Sequence, residues 1–336
     1  MNAESALRDP RLFQIASLAS LLVYGLVALD LEVRGGVAAV ILATALATQY
    51  AGGRAVGLPR FDPKSALISA LSLCLLLRTT SPALAALAAG LTIGSKFVIR
   101  LPAAAGGPPK HVFNPTNFGI AAMLLLTDAA WVSPGQWGSA ALAAFAVACA
   151  GFLVVRRAER SDITWAFLAA YGAVVFGRAA WLGDPGAIPL HQVSNGAFLI
   201  FAFFMISDPK TTPDSRAGRI LFALLVALGA GVVHFVLFRP NGLIWALAAL
   251  SPLVPLLDRV LPGRRYRWPG ATDRPPRRAA ATPIPASATA PPYTAVVAAA
   301  LRGGRGPEAA GRPPRPPAAR PPSPTTLVPR TERSRP

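Results

Sequence analysis

Charge is scarce in this chain: 14% of its 336 residues are Asp, Glu, Lys or Arg, against 53% hydrophobic. Soluble domains carry about 25% charged residues, so this chain cannot clothe a water-soluble fold of its length. Cysteine is scarcer. Cys74 and Cys149 each lie inside an apolar run, which excludes a disulfide framework and a four-thiolate cluster and leaves two small buried hydrophobes. Only three histidines occur, His111, His191 and His234, and no two share a predicted helix, so haem ligation is not expected. The Gly-x-Ser-x-Gly elbow, the His-Glu-x-x-His pair and the Walker phosphate loop are all missing. With acid–base groups this sparse, any chemistry would be carried by a bound cofactor that the protein positions.

What is abundant is apolar sequence of helix length. A helix needs roughly 20 residues to cross ~30 Å of hydrocarbon. Spans are expected at about 12–29, 36–51, 65–77, 83–99, 116–131, 137–155, 163–180, 191–207, 218–238 and 241–260. The first runs full length into Asp30 with no small-residue cleavage site, and so reads as a retained span rather than a cleaved leader. Short loops alternate in charge. One side holds Arg8 and Arg11, then Arg54, Arg60 and Lys64, then Arg100 and Lys110, then Arg156, Arg157 and Arg160, then Lys210, Arg216 and Arg219. The other side holds Arg34, Arg78, Arg178 and Arg239, one per connection. Positive loops stay inside, so a multi-pass protein of the inner (plasma) membrane with both termini cytoplasmic is expected.

The net charge of +18 is concentrated at the C-terminus. Residues 262–336 hold 14 arginines against Asp273, Glu308 and Glu332, together with 18 of the 34 prolines. Such a segment buries too little to offset its ordering entropy and reads as a disordered, polyproline-rich tail. Attached to a membrane protein, it is expected to lie along anionic lipid headgroups, each Arg contributing ~1 kcal/mol there, rather than to bind nucleic acid. The chain thus divides into a ten-span membrane domain, 1–261, and a cytoplasmic tail, 262–336.

Two spans are abnormal. Segment 65–77 would reach only ~20 Å as a helix, and Ser194-Asn-Gly196 interrupts the start of segment 191–207. Broken helices in membranes persist only where freed backbone faces protein or a wet cavity, and matched breaks in two halves of a chain point to a binding site between them. Segments three and eight match when the chain is halved: Ser65-Ala-Leu-Ile-Ser-Ala falls on Asn195-Gly-Ala-Phe-Leu-Ile. A three-span offset competes, since His111 to Asp128 and His191 to Asp208 share one separation. Either offset inverts the repeat. The fold expected is all-α: about ten transmembrane helices in two inverted five-helix repeats with broken half-helices.

The polar islands carry a family likeness. Asn114-Pro-Thr-Asn-Phe-Gly119 after a basic loop resembles the Asn-Pro-Phe-Asn-Pro-Ala signature of the NqrB/RnfD family, the membrane subunits of sodium-pumping quinone reductase and of the Rnf electron-transport complex. Ser65-Ala-Leu-Ile-Ser-Ala-Leu, Val193-Ser-Asn-Gly-Ala-Phe-Leu, Phe203-Phe-Met-Ile-Ser-Asp-Pro209, the run Arg216–Leu224 and Pro252–Asp258 are similar to further family runs, in the same order. The resemblance covers about residues 60–260. It implies electron transfer with flavin or quinone and redox partner subunits. Complex subunits of that family carry a threonine-bound flavin mononucleotide on a long connection between spans five and six. Here that connection is Trp131–Trp137, with no threonine, so covalent FMN is not expected and FMN or riboflavin would be held non-covalently. Shortened members of this type also occur in enediyne antibiotic biosynthesis, and an arginine-heavy composition (29 Arg to 4 Lys) suits such a source.

The candidate binding residues are Ser65, Lys96, His111, Asn114, Asn117, Ser194, Asn195 and Asp208. The helix N-terminus after Asn114 would offer amides and positive dipole to a phosphate or a quinone oxygen. The plainer reading, compatible with it, is that Asn114 caps the helix and Pro115 opens it. Ser194 and Asn195 would face a flavin or quinone carbonyl, or merely satisfy backbone freed at Gly196. Asp208 and Lys96 match positions in the family pattern; Lys96 could also snorkel. The function expected is a membrane redox protein. The rivals are a cofactor-free channel or transporter on the same scaffold, a membrane component of enediyne biosynthesis, and a scaffold acting through its tail.

Overall fold

The computed structural model describes residues 9–28, 34–101, 110–133 and 159–266. Helices α1 (Pro10–Ala28) and α2 (Gly35–Ala55) are long and apolar enough to cross a membrane. Helix α3 (Lys64–Leu76) is not; it runs directly into strand β1 (Leu77–Thr79). Helix α4 (Pro82–Val98) follows, opened by Ser81, whose side chain accepts from the Leu84 amide, with Pro82 behind it. Strands β2 (Arg100–Leu101) and β3 (Lys110–His111) pair antiparallel and lead to α5 (Pro115–Leu126) and β4 (Ala130–Val132). Beyond the expected sixth span, 137–155, which lies outside the described residues, α6 (Ser161–Leu182) ends on Gly183 in the left-handed region, φ +75°.

Helix α7 (Ala187–Val193) is bent by 51° from α8 (Gly196–Ile200), which continues as one π turn, Phe201–Met205. Helix α9 (Arg216–Gly231) also passes into a π turn, Val232–Val236, and α10 (Gly242–Leu250) continues through a 3₁₀ turn, Ser251–Leu253, into α11 (Val254–Val260). Five described helical stretches are long and apolar enough to span, six if the bent pair counts as one. This is a membrane-embedded, mostly helical protein.

The short third segment behaves as its length demands, but the way it is completed differs from an all-helical expectation. Strand β1 pairs antiparallel with β4, Arg78 opposite Trp131. Thr80 N donates to Ala129 O and Ser133 N to Leu76 O. Two half-helices, α3 and α5, therefore end in extended backbone whose polar groups satisfy one another, as a low-dielectric surround requires. Thirteen helical residues reach ~20 Å and three extended ones add ~10 Å, together about the thickness of the hydrocarbon layer. The expected span 116–131 is likewise a twelve-residue helix followed by a turn and strand. Arg78, the buried middle residue of β1, donates from Nη1 to the carbonyls of Cys74 and Leu77, which closes the C-terminal end of α3.

Packing follows small residues. Helix α4 lies on α2 and α5, and α9 lies on α6 and α10. Ala85, Ala88, Ala89 and Thr92 of α4 are buried, as are Ala223, Val226, Ala227 and Ala230 of α9, at spacings that keep them on one face. Small faces let helices approach where lipid offers no hydrophobic drive. Gly119 of α5 marks the tightest approach: a Cβ there would stand 1.8 Å from Thr92 Oγ1. Large apolar side chains point outward instead, among them Val27, Leu125 and Trp181.

Candidate functional site

The first turns of α1, α3 and α5 meet around a cavity of about 160 Å³. Pro10, Arg11 and Gln14 contribute from α1 and Asn114, Pro115 and Thr116 from the start of α5. Ser65, Ser69 and Ser72 come from α3. Their i, i+4, i+7 spacing puts three hydroxyls on one helical face, a pattern that the sequence carries openly and that widens the site beyond Ser65. Lys96, His111 and residues from the end of the π turn and the loop after it, among them Met205, Asp208 and Lys210, complete the lining.

Lys96 is 6% exposed. Its Nζ donates to Gln49 Oε1 at 2.6 Å and to Ser65 Oγ at 2.7 Å, tying α2, α3 and α4 together. Gln49 is absent from the sequence-derived candidates; the clue to it is an amide side chain within an apolar segment. Arg11 is met by Asp9 and Asp62, and Lys64 by Asp9. Asn114 caps α5 by accepting from Asn117 N at 3.1 Å, and its Nδ2 lies 3.4 Å from Met205 O and 3.3 Å from Asp208 Oδ2. One side chain thus caps α5 and lines the cavity. Asp208 Oδ1 also accepts from Lys210 N at 2.9 Å. Burial raises the Asp208 carboxyl above its ordinary range, against the Lys210 amide and the charges of Lys210 and Lys96. Burial, with the charges of Lys96, Arg100 and Lys210, pushes the His111 imidazole down to about 4, and its Nδ1 is buried without a hydrogen-bond partner.

Five of the eight sequence-derived candidates, Ser65, Lys96, His111, Asn114 and Asp208, therefore line one cavity. Asn117 does not. It is fully buried and its Nδ2 donates to Ile244 O, binding α5 to α10. Ser194 and Asn195 are not in the cavity wall either. Asn195 Oδ1 accepts from Phe198 N at 2.7 Å and its Nδ2 donates to Gln192 O at 2.8 Å, so its polar capacity is taken up by the bend between α7 and α8. Of the two breaks, the one at Ser65 lines this cavity and the one at Asn195 lies outside its wall. Among the described residues no cluster of His, Cys, Asp and Glu could hold a metal ion.

Pockets that enclose drug-sized ligands run to ~300 Å³ and above. The cavity at Lys96, about 160 Å³, is smaller than that. Its polar wall suits a smaller group.

Residues 123–267 match the family model described as NQR2, RnfD, RnfE family. The D-type subunit of the ion-translocating oxidoreductase complex of Psychromonas ingrahamii is 33% identical over 106 residues, 32% of this chain and 30% of that protein. The protein of the same name from Stutzerimonas stutzeri is 37% identical over 81 residues, 23% of this chain and 22% of its own length. That from Alcanivorax borkumensis is 33% identical over 114 residues, 32% of this chain and 33% of its own. The chain spans about a third or less of the length of these relatives. The matched region holds Ser194, Asn195 and Asp208; the other five candidates lie before it. Over residues 123–267 the chain is thus similar to the NQR2, RnfD, RnfE family.

Proposed function

We propose that this chain works as a membrane subunit of an ion-translocating oxidoreductase of the NqrB/RnfD kind, in the inner membrane with both termini cytoplasmic. The observation that carries the reading is the similarity of residues 123–267 to the D-type subunits of such complexes. Electrons would enter and leave through partner subunits. Flavin, where bound, would be non-covalent and outside the small cavity at Lys96; that cavity is the ligand site of the cytoplasmic half. Two inverted five-span halves underlie the site. In support, α2 packs on α4 as α6 packs on α9, and α4 on α5 as α9 on α10, pairs that correspond under a five-span offset.

A second reading is favoured by the cavity's size. A hollow of about 160 Å³ at the meeting of half-helix ends suits a small solute or ion better than a cofactor ring, which is the transporter reading on the same scaffold. Full-length protein purified in mild detergent decides between them. Absorbance near ~450 nm with flavin released on denaturation, identified by mass spectrometry, supports the redox subunit. A colourless preparation that moves a small solute into liposomes supports the transporter.

A further inference from the structure

Arg11, Lys96 and Lys210 bring positive charge to the cavity wall, against one carboxylate, Asp208, among the described residues. Lys96 is 6% exposed, and both of its hydrogen-bond partners, Gln49 and Ser65, are neutral. An ammonium has three N–H donors, and two are used. Among the described residues no carboxylate lies within ion-pair distance of it, whereas Arg11 and Lys64 nearby share Asp9 and Asp62. A buried charge lacking a counter-charge is expensive.

The surrounding backbone adds to this field. Helices α1, α3 and α5, of 19, 13 and 12 residues, all begin at this cavity. The first amides of α1 are taken by Asp9, and one amide each of α3 and α5 is capped by Asp62 and Asn114, while each end keeps the positive pole of its helix dipole. The starts of α3 and α5, beside a buried lysine, make the hollow favourable to an anion. Lys210 brings a second ammonium to the wall. The one carboxylate there, Asp208, is engaged by Asn114 Nδ2 and the Lys210 amide. A volume of about 160 Å³ is well above the ~10–15 Å³ that one water needs on the same measure, and accommodates a tetrahedral oxyanion with part of its hydration.

We propose that this cavity binds a phosphate-type oxyanion, free or as the head of a phosphate monoester, between Lys96 and the first turns of α3 and α5. The proposal rests on the cavity being the ligand site and is independent of the redox reading.

Isothermal titration calorimetry on the full chain in detergent tests it with two probes, inorganic phosphate and dihexanoyl phosphatidic acid. Binding of phosphate identifies a free anion as the occupant; binding of phosphatidic acid alone identifies a lipid head. In either case Lys96→Gln should weaken binding at least tenfold and Lys96→Arg less. Asp208→Asn, which removes the opposing charge, should tighten it several-fold and serves if Lys96→Gln fails to fold, as judged by its melting curve. The proposal is overturned if neither probe binds the wild type, if Lys96→Gln binds as tightly as wild type, or if Asp208→Asn weakens binding. A spectrum of the same sample separates this from the redox reading: colourless protein that binds phosphate removes flavin and keeps the oxyanion, and yellow protein that ignores both probes does the reverse.

Discussion

Single side chains in this protein are constrained most where backbone meets backbone. Gly119 is the sharpest case, because any Cβ would meet Thr92 Oγ1 at 1.8 Å and the Ala88 carbonyl oxygen at 3.2 Å. Gly119→Val should therefore force α4 and α5 apart and lower the melting temperature by several degrees, corresponding to about 1–3 kcal/mol of overpacking. The hydroxyl of Thr92 is buried without a partner, so Thr92→Ala should be tolerated and should recover part of the loss in a Gly119→Ala background; thermal melts in detergent would show both. His111 makes a different kind of prediction. Its imidazole is ordinarily protonated below about 6.5 and in the fold only below about 4. Above 6.5 it is neutral folded or unfolded and contributes no pH dependence. As pH falls from 6.5 toward 4 the unfolded chain gains the proton first, so stability should drop, by at most ~1.4 kcal/mol per pH unit. Asp208, raised by burial, acts with the opposite sign. The His111 share is therefore read as the difference between wild-type and His111→Gln melting curves across that window, and parallel curves would refute it.

At the scale of elements, the broken segments show what a sequence reading can and cannot see. Length alone established that residues 65–77 could not cross as a helix, and Ser194-Asn-Gly196 announced the break that is observed as a 51° bend. The strand pairing of β1 with β4 was invisible, because Leu77-Arg-Thr79 and Ala130-Trp-Val132 lie some fifty residues apart and neither alternates long enough to read as a strand. Caps were legible, as at Asn114 and Ser81, since their chemistry is local; the destination of Asn117 Nδ2 at Ile244 O was not, since it depends on which helices meet. The pairing itself can be tested. Ser133 N donates to Leu76 O at 2.7 Å. Ser133→Pro removes that donor and leaves the last carbonyl of α3 unpaired, a loss of about 1–3 kcal/mol, whereas Ser133→Ala keeps the amide. A fall in melting temperature for the proline variant alone would confirm that the half-helices depend on this ladder; equal behaviour of the two variants would show that they do not.

Taken as a whole molecule, the part of the chain before the expected sixth span is joined to the part after it by a polar clasp as well as by helix packing. Lys110, in the connection before α5, donates to Asp214 Oδ1 at 3.0 Å, to Asp258 Oδ2 at 2.7 Å and to the Thr212 carbonyl at 3.0 Å. The three charged side chains are only 10–14% exposed. From sequence, Lys110 is simply a basic residue in a loop, because partners more than a hundred residues away leave no local trace. A second clasp, Arg219 with Asp162, works within the later part. Removing one member of a buried pair strands the others, and that typically costs about 3–5 kcal/mol. Lys110→Ala leaves Asp214 and Asp258 facing each other, so it should lower the melting temperature clearly. Because the loss comes from the stranded charges and not from the missing lysine stem, adding Asp214→Asn should restore a good part of it. A single variant that melts like wild type would mean the two parts are held without this clasp, and a double variant no better than the single would mean that the Lys110 stem, rather than its charge, joins them.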